Sequence, residues 1–101
     1  MQNMEIIKTL NDKQLTLKLV GELNTISAPD LEKVIKEDLD NITELVFDFS
    51  NLDYLSSAGL RVLLVAQKIM NNQGQMYLYH VNKDVLEIFE MTGFSNILDI
   101  R

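Results

Sequence analysis

The chain has 101 residues, 47% of them hydrophobic and 24% charged, which fits one globular domain spanning residues 1–101 and leaves no room for a second. Its fifteen acidic and nine basic side chains give a net charge of −6, which disfavours nucleic-acid binding, and the absence of cysteine excludes disulfides, thiolate metal sites and cysteine nucleophiles. No apolar run approaches a membrane span, and the first twelve residues lack a signal-peptide pattern, so we expect a cytoplasmic protein with no membrane partner.

The N-terminal part begins with two predicted strands. The first spans Met4–Leu10 and the second Lys13–Val20, in which leucines alternate with polar residues, as in a strand with one wet face. Asn11 and Asp12 are expected to form a tight turn between them, which predicts an antiparallel pair at the edge of the sheet. Gly21 is expected to end the second strand.

A helix is predicted to follow. Ser27 is expected to be its N-cap, Pro29 needs no amide donor in the first turn, and Asp30 completes the spacing of a capping box. Apolar residues then recur at helical spacing as far as Leu39, opposite a charged face, which is typical of an amphipathic surface helix.

The rest of the chain alternates strands and helices. Glu44–Phe49 is nearly continuously apolar, which favours a strand buried on both faces of a parallel sheet. A helix, a strand, a helix and a short final strand are predicted at Ser57–Asn72, Gln75–Val81, Asp84–Thr92 and Ile97–Ile100. This order predicts an α/β fold: a mostly parallel mixed β-sheet of four to five strands with an antiparallel edge, flanked by three or more helices.

Three motifs carry functional information: Gly21–Asn24, Asp48–Leu60 and Met91–Phe94. In the central motif a strand-ending aspartate leads through a loop into Ser-Ser-Ala-Gly-Leu at the start of a helix. The order and spacing of the three motifs resemble the STAS domain, named for sulfate transporters and anti-sigma antagonists. The resemblance covers about Met4 to Ile100, and the chain is most similar to the free-standing anti-sigma factor antagonist.

This resemblance implies a regulatory function controlled by one serine. In the family, the serine aligned with Ser57 is phosphorylated by an anti-sigma factor that is also a serine kinase. The unphosphorylated antagonist binds that kinase and releases a sigma factor, and a serine phosphatase resets the cycle. Ser56 is a second candidate acceptor, and both Ser56 and Asn24 stand where the family often has aspartate.

The position of the two serines at a helix start has physical consequences of its own. One of them is expected to cap the helix through its side-chain oxygen. A phosphate on Ser57 would lie at the positive end of the helix dipole, so it is expected to leave the domain folded. Its effect would be to add a charge of roughly −2 to a docking surface.

The same helix predicts that surface. Most of its apolar residues fill one wide arc, whereas Leu60 and Leu64 fall on the opposite arc beside Ser57 and form an apolar pair four residues apart. The alternative is that Leu60 packs under the preceding loop and Leu64 is an isolated surface residue. The predicted partner contacts are Asn24, Thr25, Ser56, Ser57, Gly59, Leu60, Arg61 and Leu64.

Two other functions compete with this hypothesis. A hydrolase is disfavoured because Leu55 stands where a Gly-x-Ser-x-Gly motif needs its first glycine, and His80, the single histidine, is interpreted as structural. Asp48 with Asp53 is too small a cluster for a metal site, so no enzyme activity, cofactor or metal is expected. The second alternative keeps the fold without phosphorylation, as a scaffold or a small-ligand or nucleotide-binding module.

Overall fold

The computed structural model describes residues 4–101, so the first three residues of the predicted 1–101 domain lie outside the described residues. Four strands and three helices follow one another within these described residues. They are β1 (Met4–Asn11), β2 (Gln14–Leu23), α1 (Ala28–Glu37), β3 (Glu44–Leu55), α2 (Ser57–Asn71), β4 (Gln75–Tyr79) and α3 (Lys83–Thr92), followed by a short 3₁₀ helix at Phe94–Asn96.

The four strands form one mixed sheet in the order β1-β2-β3-β4. β1 pairs with β2 in antiparallel orientation, and the other two pairs are parallel, which confirms the predicted fold class and its antiparallel edge. The prediction of a final strand at Ile97–Ile100 is wrong. The end of the chain makes a single parallel bridge, between Ile100 and Leu78 of β4.

The helices cover one face of the sheet. Leu45 and Phe47 of β3 are buried, whereas Val46 and Asp48, which point to the other face, are only half-buried. The prediction that β3 is buried on both faces is therefore wrong. The reason is topological: each parallel crossover moves the chain in the same direction along the sheet, and right-handed crossovers of that kind place both helices on the same side.

β2 and β3 both extend further than the sequence pattern predicts. β2 continues through Gly21, whose φ is 109°, and ends at Leu23, while β3 continues from the predicted end at Phe49 to Leu55. The added segments pair with each other through two register irregularities. Each irregularity inserts an extra residue and breaks the two-residue alternation by which a strand is identified from sequence.

Candidate functional site

The predicted site residues come together at the carboxyl ends of β2 and β3. Leu23 and Leu55, the last residues of these strands, are register partners. The amide of Ser56 donates to the carbonyl oxygen of Leu23 over 2.9 Å. The turn that leads into α1 and the start of α2 therefore lie side by side.

A dense hydrogen-bond network fixes the turn before α1, residues 24–27. The side-chain Oδ1 of Asn24 accepts from the amides of Ile26 and Ser27, each over 3.0 Å, and its carbonyl oxygen accepts from the amide of Ala28 over 2.8 Å. These are the bonds that an N-cap residue makes. Half-buried Asn24, predicted as a partner contact, thus also organises the turn.

Ser27 is the N-cap residue of α1, as predicted, but its side chain makes no capping hydrogen bond to the helix. Its backbone is already helical (φ −89°, ψ −20°), so its side chain points back along the chain rather than into the helix. The hydroxyl donates to the carbonyl of Glu22 over 2.7 Å and accepts from the amide of Asn24 over 2.9 Å. Ser27 is only 3% exposed, so it closes the turn from inside.

The start of α2 is organised in the opposite way. Ser56 is the N-cap residue, but no side chain among residues 4–101 caps this helix, so the prediction that one of the two serines does so is wrong. The Ser56 hydroxyl oxygen is buried and has no hydrogen-bond partner within the described chain. Ser57 is exposed, and so is Arg61, which follows one helical turn later on the same side.

Gly59 allows the two segments to approach each other. A Cβ atom built on Gly59 would lie 2.7 Å from Cγ of Leu23 and 2.9 Å from its Cδ2, closer than packed carbon atoms can come. The fully buried Leu23 side chain occupies this space. Gly59 is buried and was predicted as a partner contact; its position indicates a role in packing α2 against the end of β2.

The predicted apolar docking pair is only partly at the surface. Leu60 is 6% exposed and belongs to the core, so its placement on an exposed arc is wrong. Leu64 is half-buried. The start of α2 packs against Leu23 and the end of the sheet, which buries a flank of the helix that helical periodicity alone assigns to solvent.

An apolar side chain that the sequence analysis missed stands at this site instead. Ile26 is 74% exposed, although it is one of the largest aliphatic residues. Its neighbours Thr25 and Ala28 line a shallow groove of about 160 Å³ that is bordered on the other side by Ala58 and Arg61 of α2. Ile26 could have been singled out from the sequence, because it is the only large apolar residue between Leu23 and Leu31.

Asp48, the first residue of the central motif, lies upstream of the site. Partial burial of its carboxyl group raises its pKa, but hydrogen bonds from Ser50 and the positive charges of His80 and Lys18 together hold the pKa below its ordinary value. The Ser50 amide donates to Asp48 Oδ1 over 2.9 Å. Asp48 therefore anchors the first part of the irregular segment that leads to α2.

Other chemical features are sparse. Residues 4–101 contain no group of three or more histidine, aspartate or glutamate side chains placed to hold a metal ion. His80, interpreted from sequence as structural, is exposed just after β4 with a φ of 62°. None of the helices in this part of the chain has the length and apolar character needed to cross a bilayer.

The profile of the STAS domain matches residues 3–101. The chain belongs to the STAS domain family. BtrV of Bordetella bronchiseptica, whose assigned name is that of an anti-sigma factor antagonist, is 38% identical over 91 residues, which cover 88% of this chain and 78% of BtrV. The anti-sigma-B factor antagonist of Staphylococcus aureus is 28% identical over 101 residues, covering 98% and 94% of the two chains.

The STAS fold is also shared with a solved structure. The anti-sigma factor antagonist SpoIIAA in its unphosphorylated form superposes with a TM-score of 0.80 at 16% identity, over 97% of this chain and 87% of SpoIIAA. The phosphorylated form of the same Bacillus protein superposes with a TM-score of 0.74 at 15% identity, over 97% of this chain and 90% of SpoIIAA.

Proposed function

We propose that this STAS domain is an anti-sigma factor antagonist. In its unphosphorylated state it binds an anti-sigma factor that is also a serine kinase, and this binding releases a sigma factor. Phosphorylation of Ser57 ends the interaction, and a serine phosphatase restores it. The names of the relatives support the class of partner, and the observation that carries the switch is the exposed Ser57 hydroxyl at an uncapped helix N-terminus.

The surroundings of Ser57 suit a phosphate. The first turn of α2 contains no acidic residue, its amides have no side-chain acceptor within residues 4–101, and exposed Arg61 lies one turn away. A phosphate on Ser57 meets the positive end of the helix dipole and a cation on the same helix face, so the modified domain is expected to stay folded. The switch then works through the docking surface rather than through unfolding.

The size of the electrostatic effect is sufficient for such a switch. Two like unit charges about 4 Å apart at a partly desolvated surface repel each other by about 4 kcal/mol. A phosphoserine facing an acidic or closely packed partner surface is therefore expected to weaken binding by roughly a hundredfold or more.

The experiment has a chemical arm and a binding arm. The chain is incubated with a candidate anti-sigma kinase of the same genome and ATP, and intact mass with peptide mapping locates any phosphoryl group. We expect one phosphoryl group on Ser57, and none in the Ser57→Ala variant. Modification of Ser56 alone would show that the phosphorylated residue is Ser56 rather than Ser57.

The binding arm measures the affinity of three variants for the kinase. Ser57→Asp is expected to lose at least tenfold in affinity for the kinase, whereas Ser57→Ala binds like the wild type. Asn11→Asp is the matched control, because it adds the same charge at the opposite end of β2. Equal binding by Ser57→Asp and Ser57→Ala, with no phosphorylation, would support the scaffold function instead.

A further inference from the structure

Ile26, 74% exposed, is one of the most exposed large hydrophobic residues among residues 4–101. Ile26 lies in the turn before α1, and its neighbours Thr25 and Ala28 share a groove with Ala58 and Arg61 of α2, the helix that begins at Ser57. Large apolar side chains exposed singly are common on protein surfaces and need no explanation by themselves. What distinguishes Ile26 is that the backbone beneath it is held rigidly.

Hydrogen bonds immobilise the turn on both sides of Ile26. Its own amide donates to Asn24 Oδ1, and the next amide, that of Ser27, donates to the same oxygen. The buried Ser27 hydroxyl ties the turn to the carbonyl of Glu22. The turn therefore holds the backbone of Ile26 in one position, so a partner that covers the side chain has to order little more than its rotamers.

The groove beside Ile26 indicates what kind of partner covers it. Its volume of about 160 Å³ is well below the roughly 300 Å³ at which small-molecule sites begin, so it fits a single protein side chain better than a ligand. Its floor contains Ala28 and Ala58, while Glu32 and Arg61 supply charges of both signs at its border. A projecting apolar side chain next to a small receiving groove is the arrangement of an anchor at a protein interface.

We propose that Ile26 is an apolar anchor of the interface with the anti-sigma factor, and that Asn24 is the positioning residue that holds it in place. The inference rests on the proposed function and adds the specificity-determining contact to it. The anti-sigma factor is inferred to supply an apolar pocket for Ile26 and a side chain that enters the groove between α1 and α2. Ser57 then lies at the border of this contact, where a phosphate separates the two surfaces.

The test measures affinity for the ATP-loaded anti-sigma factor that captures the wild-type chain. Ile26→Ala is expected to weaken binding by 10- to 100-fold, and Ile26→Leu, which keeps the apolar volume, by less than fivefold. The loss should be the same at low and high salt, because an apolar contact is not screened by ions. Leu10→Ala is the matched control: Leu10 is also largely exposed, at 65%, but lies at the other end of β2 and should bind like the wild type.

The positioning role is tested by a conservative pair at residue 24. Asn24→Asp keeps the oxygen that accepts the two amides and is expected to keep binding within about threefold of the wild type. Asn24→Ala removes that oxygen and is expected to lose at least tenfold. Circular dichroism and thermal unfolding establish that each variant is folded at the temperature of the binding measurement.

The outcomes separate the two proposals. If no anti-sigma factor binds the wild-type chain, the proposed function fails and this inference fails with it. If the wild type binds and Ile26→Ala binds equally well, only the anchor is overturned. If Ile26→Ala and Leu10→Ala lose affinity alike, the effect is not specific to the site, and the anchor is likewise overturned.

Discussion

Helices α1 and α2 begin side by side, but their first turns are built in opposite ways. In the turn before α1, the side-chain oxygens of Asn24 and Ser27 accept from the amides of Asn24, Ile26 and Ser27. The start of α2 has an N-cap serine whose hydroxyl lacks a partner within residues 4–101, and an exposed serine after it. One helix start is therefore held by hydrogen bonds from side chains of its own turn, whereas no side chain among residues 4–101 caps the other.

The largest expected effect is a difference in the free energy of unfolding when a serine is replaced by alanine in each of the two segments. Ser27→Ala leaves the Glu22 carbonyl and the Asn24 amide without their partner, so it should lower the free energy of unfolding by about 2 kcal/mol. Ser56→Ala removes a buried hydroxyl that makes no hydrogen bond within the described residues, so it should change stability by less than about 0.5 kcal/mol or raise it. Urea denaturation of the two variants checks this, and equal destabilisation would contradict the comparison.

A smaller effect is expected where the two segments touch. In Gly59→Ala the new methyl group overlaps the buried Leu23 side chain, and overpacking of this kind costs about 1–3 kcal/mol. Alanine returns up to about 1 kcal/mol through its helix propensity, so a net loss of about 1 kcal/mol is expected. Denaturant unfolding measures the loss, with Ala58→Gly as the control that changes propensity without the overlap. A Gly59→Ala variant more stable than the wild type would show that the close approach is dispensable.

The smallest effect is a dependence on pH. The pKa of Asp48 is lowered in the folded state, so the unfolded chain takes up a proton first as the pH falls. The stabilisation from Asp48 is therefore fully present at neutral pH and is lost below about pH 4. Asp48→Asn cannot titrate, so it should lose less stability than the wild type between pH 6 and pH 3.

The turn before α1 supplies the control for this pH measurement. Its side-chain bonds to the amides come from Asn24 and Ser27, which do not titrate, so the difference between Ser27→Ala and the wild type should stay constant over the same pH range. If Asp48→Asn and the wild type lose the same stability between pH 6 and pH 3, Asp48 does not contribute to the pH dependence of unfolding.

The regular parts of the fold were predictable because their residues follow one period. The leucines of β2 alternate strictly, and α2 begins and ends within one residue of its predicted limits. The end of β3 was not predictable by that rule. Its buried residues Phe49, Leu52 and Leu55 are three apart, a spacing produced by the register irregularities against β2.

The site was only partly predictable for a similar reason. The family motif places Ser57 at the start of a helix, and the structure has it there, exposed. The burial of Leu60 depends on how closely α2 approaches Leu23, and helical periodicity does not predict that distance. The role of Asn24 in the turn depends on the αR backbone of Ser27, which redirects a side chain that sequence rules assign to capping.

The order of the strands has a consequence for how the molecule is made. Each strand after β1 pairs with the strand that immediately precedes it in the chain, so its partner has already been synthesised when it emerges. We expect the sheet to grow outward from the β1–β2 hairpin while the chain is still leaving the ribosome. β2, β3 and Ser57 are all translated before β4, and the bridge from Ile100 to Leu78 closes last.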